Sequence, residues 1–515
     1  MKASPVDRFA SPEGGTVELP PVTEDLARRF GTGLLWNYSG RLLEYGARFL
    51  FFSVVASALG PREFGIFSFA ISVHTITTLI LGLGFENALN NFVPEQMAYP
   101  ACQAYLLRTL LRWRALILLG AAILLWAGAP WLAKQSGVRA DAIRWVIPYV
   151  VGYNLTNLIS YFLVGRLEMS TVTGVRVGIQ LLNLVAGGYL LARGARSEFL
   201  LGAMGASTLL AVLVLLWRTR RFLRGPAQPM PMSRVYRFGL ILGLTNGLNY
   251  VLGQQADVLL LGLLLQDPAQ MGFYNLAATL TLIATTGLLL GFEGVSQTAL
   301  VEAATRGSQA LRRFYEVMLR VTATLSQPIL LFAVLHAPTL VRLYGPEYEP
   351  AIPLLTAYMA YGFVMRFMGG GLNTATLYAL RRERVPLAFR AIGGALNLVL
   401  AIWWIPLLGA LGAILATAAS GLLIGLLEQT FTMRLSGSAY PTHYALRLSL
   451  VMGAAGLLSK PIDRGTPITL TASALLYALL FCAGWWWMRP LSEADWESLA
   501  RISPRLGNWL ARIRL

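Results

Sequence analysis

The sequence predicts an all-α polytopic membrane protein of about 14 transmembrane helices, built as two pseudo-symmetric six-helix lobes plus two C-terminal helices. Three observations carry this. The chain of 515 residues is 56% hydrophobic and only 13% charged, with a mean hydropathy of +0.58, outside the range of soluble domains. Apolar runs of about 20 residues, the length that crosses the hydrocarbon core, recur along nearly the whole chain. Segments separated by about 210 residues resemble each other. The runs are continuous rather than alternating, which excludes a membrane β-barrel.

Taken in order, residues 1–30 hold Pro5, Pro12, Gly14, Gly15, Pro20 and Pro21 among mixed charges and lack an apolar signal region. They read as a flexible cytoplasmic tail. The first lobe occupies 31–217, with spans near 34–58, 64–85, 113–133, 145–165, 175–193 and 199–217. A basic linker, 218–236, leads to the second lobe, 237–432, with spans near 237–264, 273–292, 317–337, 351–372, 386–407 and 409–430. Residues 433–490 hold two further spans, near 445–459 and 467–488. In 491–515, Leu506, Trp509, Leu510 and Ile513 share a helical face beside Arg505 and Arg512, the pattern of an amphipathic helix on an anionic leaflet.

Charge orients the chain. An even number of spans puts both termini on one side. With that side cytoplasmic, the inner loops hold 21 basic residues and the short outer loops nine. The expectation is a multi-pass protein of the plasma (inner) membrane of a prokaryote, both termini cytoplasmic. The net charge of +17 reports topology first, so no nucleic acid partner is expected. Cys102 and Cys482 are too few for a disulfide framework or a metal site, and His74, His336 and His443 are scattered and read as structural. No G-x-x-x-x-G-K-[S/T] sequence occurs, so ATP is not the expected driver. No catalytic constellation, cofactor or metal is expected, and the chain does not read as an enzyme.

The first span, Trp36 to Ala58, carries Asn37, Arg41, Glu44 and Arg48 at i, i+4, i+7 and i+11, one helical face. A charge near the bilayer centre costs roughly 2.5–3.5 kcal/mol on insertion scales, so the stripe should face a bundle interior or a watery cavity. Each arginine lies a turn from Glu44, which would serve both guanidiniums and leave net positive charge for an anion. Snorkelling or helix packing is the competing reading. Arg366, well inside span 10, is a second candidate phosphate contact. Asn154, Asn246 and Asn397, with Asn37, are candidate partners for sugar hydroxyls, although such amides more often join helices. Asp257 shares a face with Asn246 and is read as a partner for Arg48 or as an ion site.

The repeat is specific. Gly65 pairs with Gly272 at an offset of 207, and the same offset places Leu83-Gly84-Phe85-Glu86 on Leu290-Gly291-Phe292-Glu293 and Glu95 on Glu302. Arg176 and Asn183 match Arg390 and Asn397 at an offset of 214. Six spans per repeat keep the same orientation, so the lobes are parallel repeats with a site between them. Glu86 and Glu293 end equivalent spans and read as a shared hinge or gate contact with loop arginines.

The stretches LGPREFGIFSFA (59–70) and LGLGFENALNNFVPE (81–95), the segment from Asp257 to Gly262 with Gly272, Phe273 and Tyr274, and Leu343 to Tyr348 resemble bacterial oligosaccharide flippases. These form the polysaccharide-transporter branch of the multidrug/oligosaccharidyl-lipid/polysaccharide (MOP) exporter superfamily. The resemblance covers roughly 30–490. It implies a 14-helix flippase that moves an undecaprenyl-diphosphate-linked sugar unit between leaflets through a cationic cavity, which Arg41 and Arg48 would supply here. Its partners would be the lipid-linked oligosaccharide, the membrane, and polysaccharide polymerase and other assembly proteins. Coupling to H⁺, Na⁺ or the membrane potential is open. The alternatives are a drug or cation antiporter of the same superfamily, a membrane glycan polymerase or glycosyltransferase, and a scaffold subunit.

Overall fold

The computed structural model of the chain describes residues 24–82, 84–240, 243, 253–286 and 292–488, all helices and turns with no strand among them. The helices are α1 (Glu24–Gly82), α2 (Phe85–Glu95), α3 (Pro100–Ser136), α4 (Ala140–Trp145), α5 (Ile147–Gly165), α6 (Met169–Ala192) and α7 (Ser197–Arg224). After a helical stretch at 233–240 come α8 (Gln254–Leu265), α9 (Pro268–Thr286), α10 (Phe292–Thr305), α11 (Ser308–Leu335) and α12 (Ala337–Arg342). The chain continues with α13 (Ile352–Phe367), α14 (Gly370–Ala379), α15 (Arg384–Leu408), α16 (Ala410–Ser436), α17 (Thr442–Ser459) and α18 (Pro467–Met488). The expected amphipathic segment at 491–515 lies outside the described residues. So does most of the expected N-terminal tail, whose residues 24–30 already belong to α1.

Ten helical segments among the described residues are long and apolar enough to cross a membrane. The first of them, Gly40–Gly82, holds two crossings, because the helix breaks at Gly60 (φ 70°, ψ 169°) ahead of Pro61. Positive φ is cheap only for glycine, and proline fits the first turn of the returning helix because it has no N–H to satisfy. The expected spans 1 and 2 therefore form a hairpin with almost no loop. Expected spans 4 and 8 correspond to α5 and α9, of 19 residues each, and span 7 ends in α8. Helix α3 starts at Pro100 rather than near 113 and runs for 37 residues, about 55 Å, well beyond the hydrocarbon thickness.

In the first lobe α1 packs on α6, α5 on α7 and α2 on α5; in the second α13 packs on α9, α11 and α16, and α15 on α16. The lobes meet where the second half of α1 lies against α9. A Cβ on Gly65 would sit 1.7 Å from Pro268 O, and one on Gly272 would sit 2.1 Å from Pro61 O. Pro61 and Pro268 are themselves separated by 207 positions, so the contact is reciprocal, as across a twofold axis. Ser68 and Asn275, also 207 apart, join across the same axis at 2.6 Å. Ser72 Oγ donates to Gln255 Oε1 at 2.7 Å, and Gln254 Nε2 donates to Asn275 Oδ1 at 2.5 Å. Beyond these, Tyr348 closes the end near Gly60. Its ring packs edge-on to Phe64 and Phe273, and its hydroxyl donates to Ala56 O at 2.8 Å.

Between α1 and α9 contact loosens away from Gly60: on α1 none of the residues from Thr75 to Gly82 is buried, and on α9 none with a described environment after Thr281 is. Beyond Gly82 the two halves of the chain meet again, where a Cβ on Gly84 would sit 2.0 Å from Gly239 O and the Phe92 ring lies 5.7 Å from that of Phe238.

Two polar knots brace the Gly60 end. Arg139 donates to Glu63 Oε2 at 2.7 Å and also pairs with Glu198, tying α4 to α1 and α7. Its hydrogen bonds to the Glu63 and Glu198 carboxylates raise the Arg139 guanidinium above its ordinary pKa. Asp463, between α17 and α18, accepts from Thr339 Oγ1 at 2.7 Å and lies 2.6 Å from His336 Nδ1. Burial works to raise its carboxyl, but bonds from His336, Thr339 and the Gly465 N–H outweigh it and hold the group below its usual value.

Two outcomes follow. Ser68→Cys, buried in the interface, is expected to react slowly with a membrane-impermeant maleimide and at least threefold faster when Gly65→Val is added, because a side chain there must push two backbones apart. A carboxyl with depressed folded pKa stabilises above its unfolded value of about 3.9 and stops doing so as pH falls through the folded one. Asp463→Asn should therefore lower stability by roughly 1–3 kcal/mol at pH 7 and flatten the loss of thermal stability below about pH 4.

Candidate functional site

The polar residues of the first lobe divide into two groups. Arg41 and Arg48 are exposed on the first half of α1, and Glu44 between them is half-buried. That half of α1 is seated on α6, where Gly40 meets Thr173 so closely that a Cβ would fall 2.0 Å from its methyl. Among the described residues Glu44 bonds neither arginine, so the expected shared carboxylate is not formed.

The second group is a buried knot around Arg114 of α3, which is 0% exposed. Its guanidinium donates to Glu86 Oε1 at 2.7 Å, Asn154 Oδ1 at 2.9 Å and Gly82 O at 2.9 Å, and it lies over the Phe85 ring at 5.6 Å. Asn154 in turn donates to Thr78 Oγ1 and Val150 O. Its amide is thus committed to joining α1, α3 and α5, with nothing left over for a sugar hydroxyl. Glu86 caps the same knot at the left-handed turn of Gly84 (φ 66°). By sequence Arg114 is one of the 21 inner-loop basic residues and carries no other expectation. The signal that marks it is its register, since Leu107, Leu110, Leu118 and Ala121 are buried on the same helix.

In the second lobe Asp257 is fully buried. Its Oδ2 accepts from Tyr274 Oη at 2.5 Å and Thr417 Oγ1 at 2.7 Å, and Thr417 also reaches Asn397 Oδ1 at 3.5 Å. Asp257 therefore lies in a neutral polar cluster of its own lobe rather than against Arg48. Asn397 is buried in that cluster. Arg366, near the end of α13, is partly exposed and donates to Thr285 O at 2.9 Å, which couples α13 to α9. Asn37, Asn246 and Glu293 lie outside the residues whose side chains are described.

The arrangement is that of an all-α polytopic membrane protein. The chain belongs to the polysaccharide biosynthesis protein family, whose family model matches residues 30–295, more than half of the chain. Among solved structures, the lipid II flippase MurJ in an inward closed conformation superposes with a TM-score of 0.67 at 13% identity, over 86% of this chain and 97% of that one. An inward-facing multidrug resistance MATE family transporter of the MOP superfamily gives 0.63 at 14% identity, over 76% and 94%. An outward-facing MATE family transporter gives 0.54 at 14% identity, over 79% and 95%. A comparison with curated protein sequences returned no match.

Removing Arg114 would leave the Glu86 carboxylate buried and uncompensated. Arg114→Met is expected to cost about 3–5 kcal/mol in a thermal denaturation assay, whereas Arg114→Met with Glu86→Leu should recover most of it.

Proposed function

We propose that the chain is a flippase that carries an undecaprenyl-diphosphate-linked oligosaccharide from the inner to the outer leaflet by alternating access, for cell-surface polysaccharide export. The observation that carries this reading is the pair of arginines, Arg41 and Arg48, exposed and without an ion-pair partner among the described residues of a helix that packs between the lobes. A diphosphate and several sugars cannot cross about 30 Å of hydrocarbon unaided. Guanidiniums replace the water around phosphate oxygens and match them bidentately. In this reading Arg366 approaches the same anion from the second lobe, and Asn37 and Asn246 meet sugar hydroxyls. The Arg114–Glu86 knot, with its counterpart at Glu293, marks the hinge end of each lobe. The lipid tail stays in the bilayer.

The end near Gly60 is outward in this reading, and both termini lie in the cytoplasm of a prokaryote with the inner membrane as the site of action. A membrane potential of 100 mV, negative inside, favours outward movement of each negative charge by about 2.3 kcal/mol. Asp257 is the group through which a proton or Na⁺ would couple, since binding either one neutralises a buried carboxylate whose neighbours are hydroxyls and an amide. The fold likeness to MATE transporters keeps a drug or cation antiporter as the second reading; the excess of guanidinium over carboxylate on span 1 opposes it.

The test is transbilayer movement of a lipid-diphosphate oligosaccharide in proteoliposomes. Arg41→Gln, Arg48→Gln and Arg366→Gln are each expected to slow it about tenfold or more, because a charge-assisted bond is worth roughly 1.5–3 kcal/mol. Unchanged movement in all three would make these arginines snorkelling or packing residues. A wild type that moves no such lipid but extrudes a cationic dye would favour the antiporter.

A further inference from the structure

Three acids inside the helix bundles are served unequally. Glu86 is bonded directly by the Arg114 guanidinium, and Asp257 takes two hydroxyls on one oxygen. Glu428, on the far half of α16, is 4% exposed and receives less. Its Oε2 accepts from Thr374 Oγ1 of α14 at 2.8 Å, and its Oε1 is buried without a hydrogen-bond partner among the described residues. Arg390 of α15 donates from Nη2 to the same Thr374 Oγ1 at 3.3 Å, so its guanidinium meets the carboxyl through the hydroxyl. A carboxylate has room for about four donors, and a buried one rarely stands with a single neutral donor. A carboxylic acid fits the same surroundings, with Oε2 as its carbonyl and Oε1 as its hydroxyl.

The repeat shows that packing does not require this acid. At an offset of 213, Ser420 and Thr432 of α16 fall on Ser207 and Thr219 of α7, all four buried. The same offset places Glu428 on Leu215, which is fully buried. Thr374 and Arg390 keep their counterparts, Ser160 and Arg176, at an offset of 214. The first lobe thus has the hydroxyl, the arginine and a leucine, and its Ser160 Oγ is left buried without a partner among the described residues. A carboxyl where leucine completes the same seam is a burden on folding unless it serves a purpose of its own.

We infer that Glu428 is a proton-binding site of the second lobe, which holds a proton on Oε1 while Arg390 is bonded to Thr374 and releases it when the guanidinium moves onto the carboxyl. The Oε1–H bond breaks, the proton leaves to water, and the charge left behind is met by Arg390. Of the groups packed around Glu428, Arg390 is the charged one that bears on it. Met365 and Met368, at the end of α13, lie against Gly425, and Tyr315 of α11 donates to Asn373 Oδ1 at 2.6 Å. The site is separate from Asp257, whose partner Thr417 lies 11 positions earlier on α16, about 16 Å away. Helix α16 starts at the Gly60 end, where the Ala410 N–H donates to Gln270 Oε1 at 3.1 Å, so Glu428 lies about 27 Å toward the opposite end. The inference goes beyond the flippase reading and holds equally for an antiporter.

Infrared spectroscopy of the full-length protein reads a protonated carboxyl directly through its C=O band, at neutral pH, where exposed carboxyls are ionised. The variants are Glu428→Gln, which keeps an acceptor for Thr374, and Glu428→Leu, which installs the residue of the first lobe. Both are expected to melt near the wild-type temperature. The expected result is an acid band in the wild type that disappears as pH is raised, is lost from both Glu428 variants and remains in Asp257→Asn. A band unchanged in both Glu428 variants overturns the inference and makes Glu428 an ionised structural group. If Arg41→Gln then still slows lipid movement, the flippase reading stands without the proton site. A wild type that shows the Glu428 band but moves no lipid-diphosphate oligosaccharide supports the proton site and removes the flippase reading alone.

Discussion

The two halves of the chain come together at positions that lack a side chain, among them a reciprocal pair. At Gly65 and Gly272 the opposing backbone carbonyl occupies the volume of a Cβ. Close backbone approach strengthens packing where lipid provides no hydrophobic drive between helices. The reciprocity of the two contacts sets the axis about which everything else is placed. On that axis Ser68 and Asn275 bond each other, and around it Gln254, Gln255 and Ser72 form a polar seam. Tyr348 and its aromatic neighbours close the end beyond it. At the opposite end a second close approach, Gly84 against Gly239 O, ties the two halves of the chain together.

The repeat supplies the scaffold twice, yet the polar contents differ. In the first lobe the charges are of two kinds. Arg114 is enclosed and neutralised by Glu86, which makes it a structural cation, whereas Arg41 and Arg48 stand exposed without such a partner. In the second lobe Asp257 lies among hydroxyls, with no cation bonded to it among the described residues. The proposed anion binding and the proposed cation coupling rest on this difference, exposed guanidiniums in one half and a buried carboxyl in the other. Any coupling between them would pass through α1 and α9, which touch both.

Much of this architecture was legible in the sequence. Hydropathy located the spans, and the 207-residue offset marked Gly65 and Gly272 before their contact was known. The boundaries were less legible. Hydropathy ends α3 where its arginines begin, although the helix continues to Pro100. For the same reason it could not separate a buried arginine from an interfacial one. Arg114 finds Glu86 28 positions away and Asn154 40 away, contacts that no local pattern encodes. The spacing of Arg41, Glu44 and Arg48 marks a charged stripe, and in the structure the two arginines are exposed and Glu44 is half-buried. Asn154 and Asn397 illustrate the commoner fate of amides in membrane helices, enclosed among partners within one lobe.

The proposed alternating access requires the two halves of the chain to rock against each other, opening one end as the other closes. Double electron–electron resonance reads this directly, with one spin-label pair at positions 62 and 267, both exposed at the Gly60 end, and another at 98 and 309, both exposed at the opposite end. On adding a lipid-diphosphate oligosaccharide, the 62–267 distance distribution should gain a longer component while the 98–309 distribution gains a shorter one. Distances that stay fixed at both ends, or that lengthen together, would contradict the account.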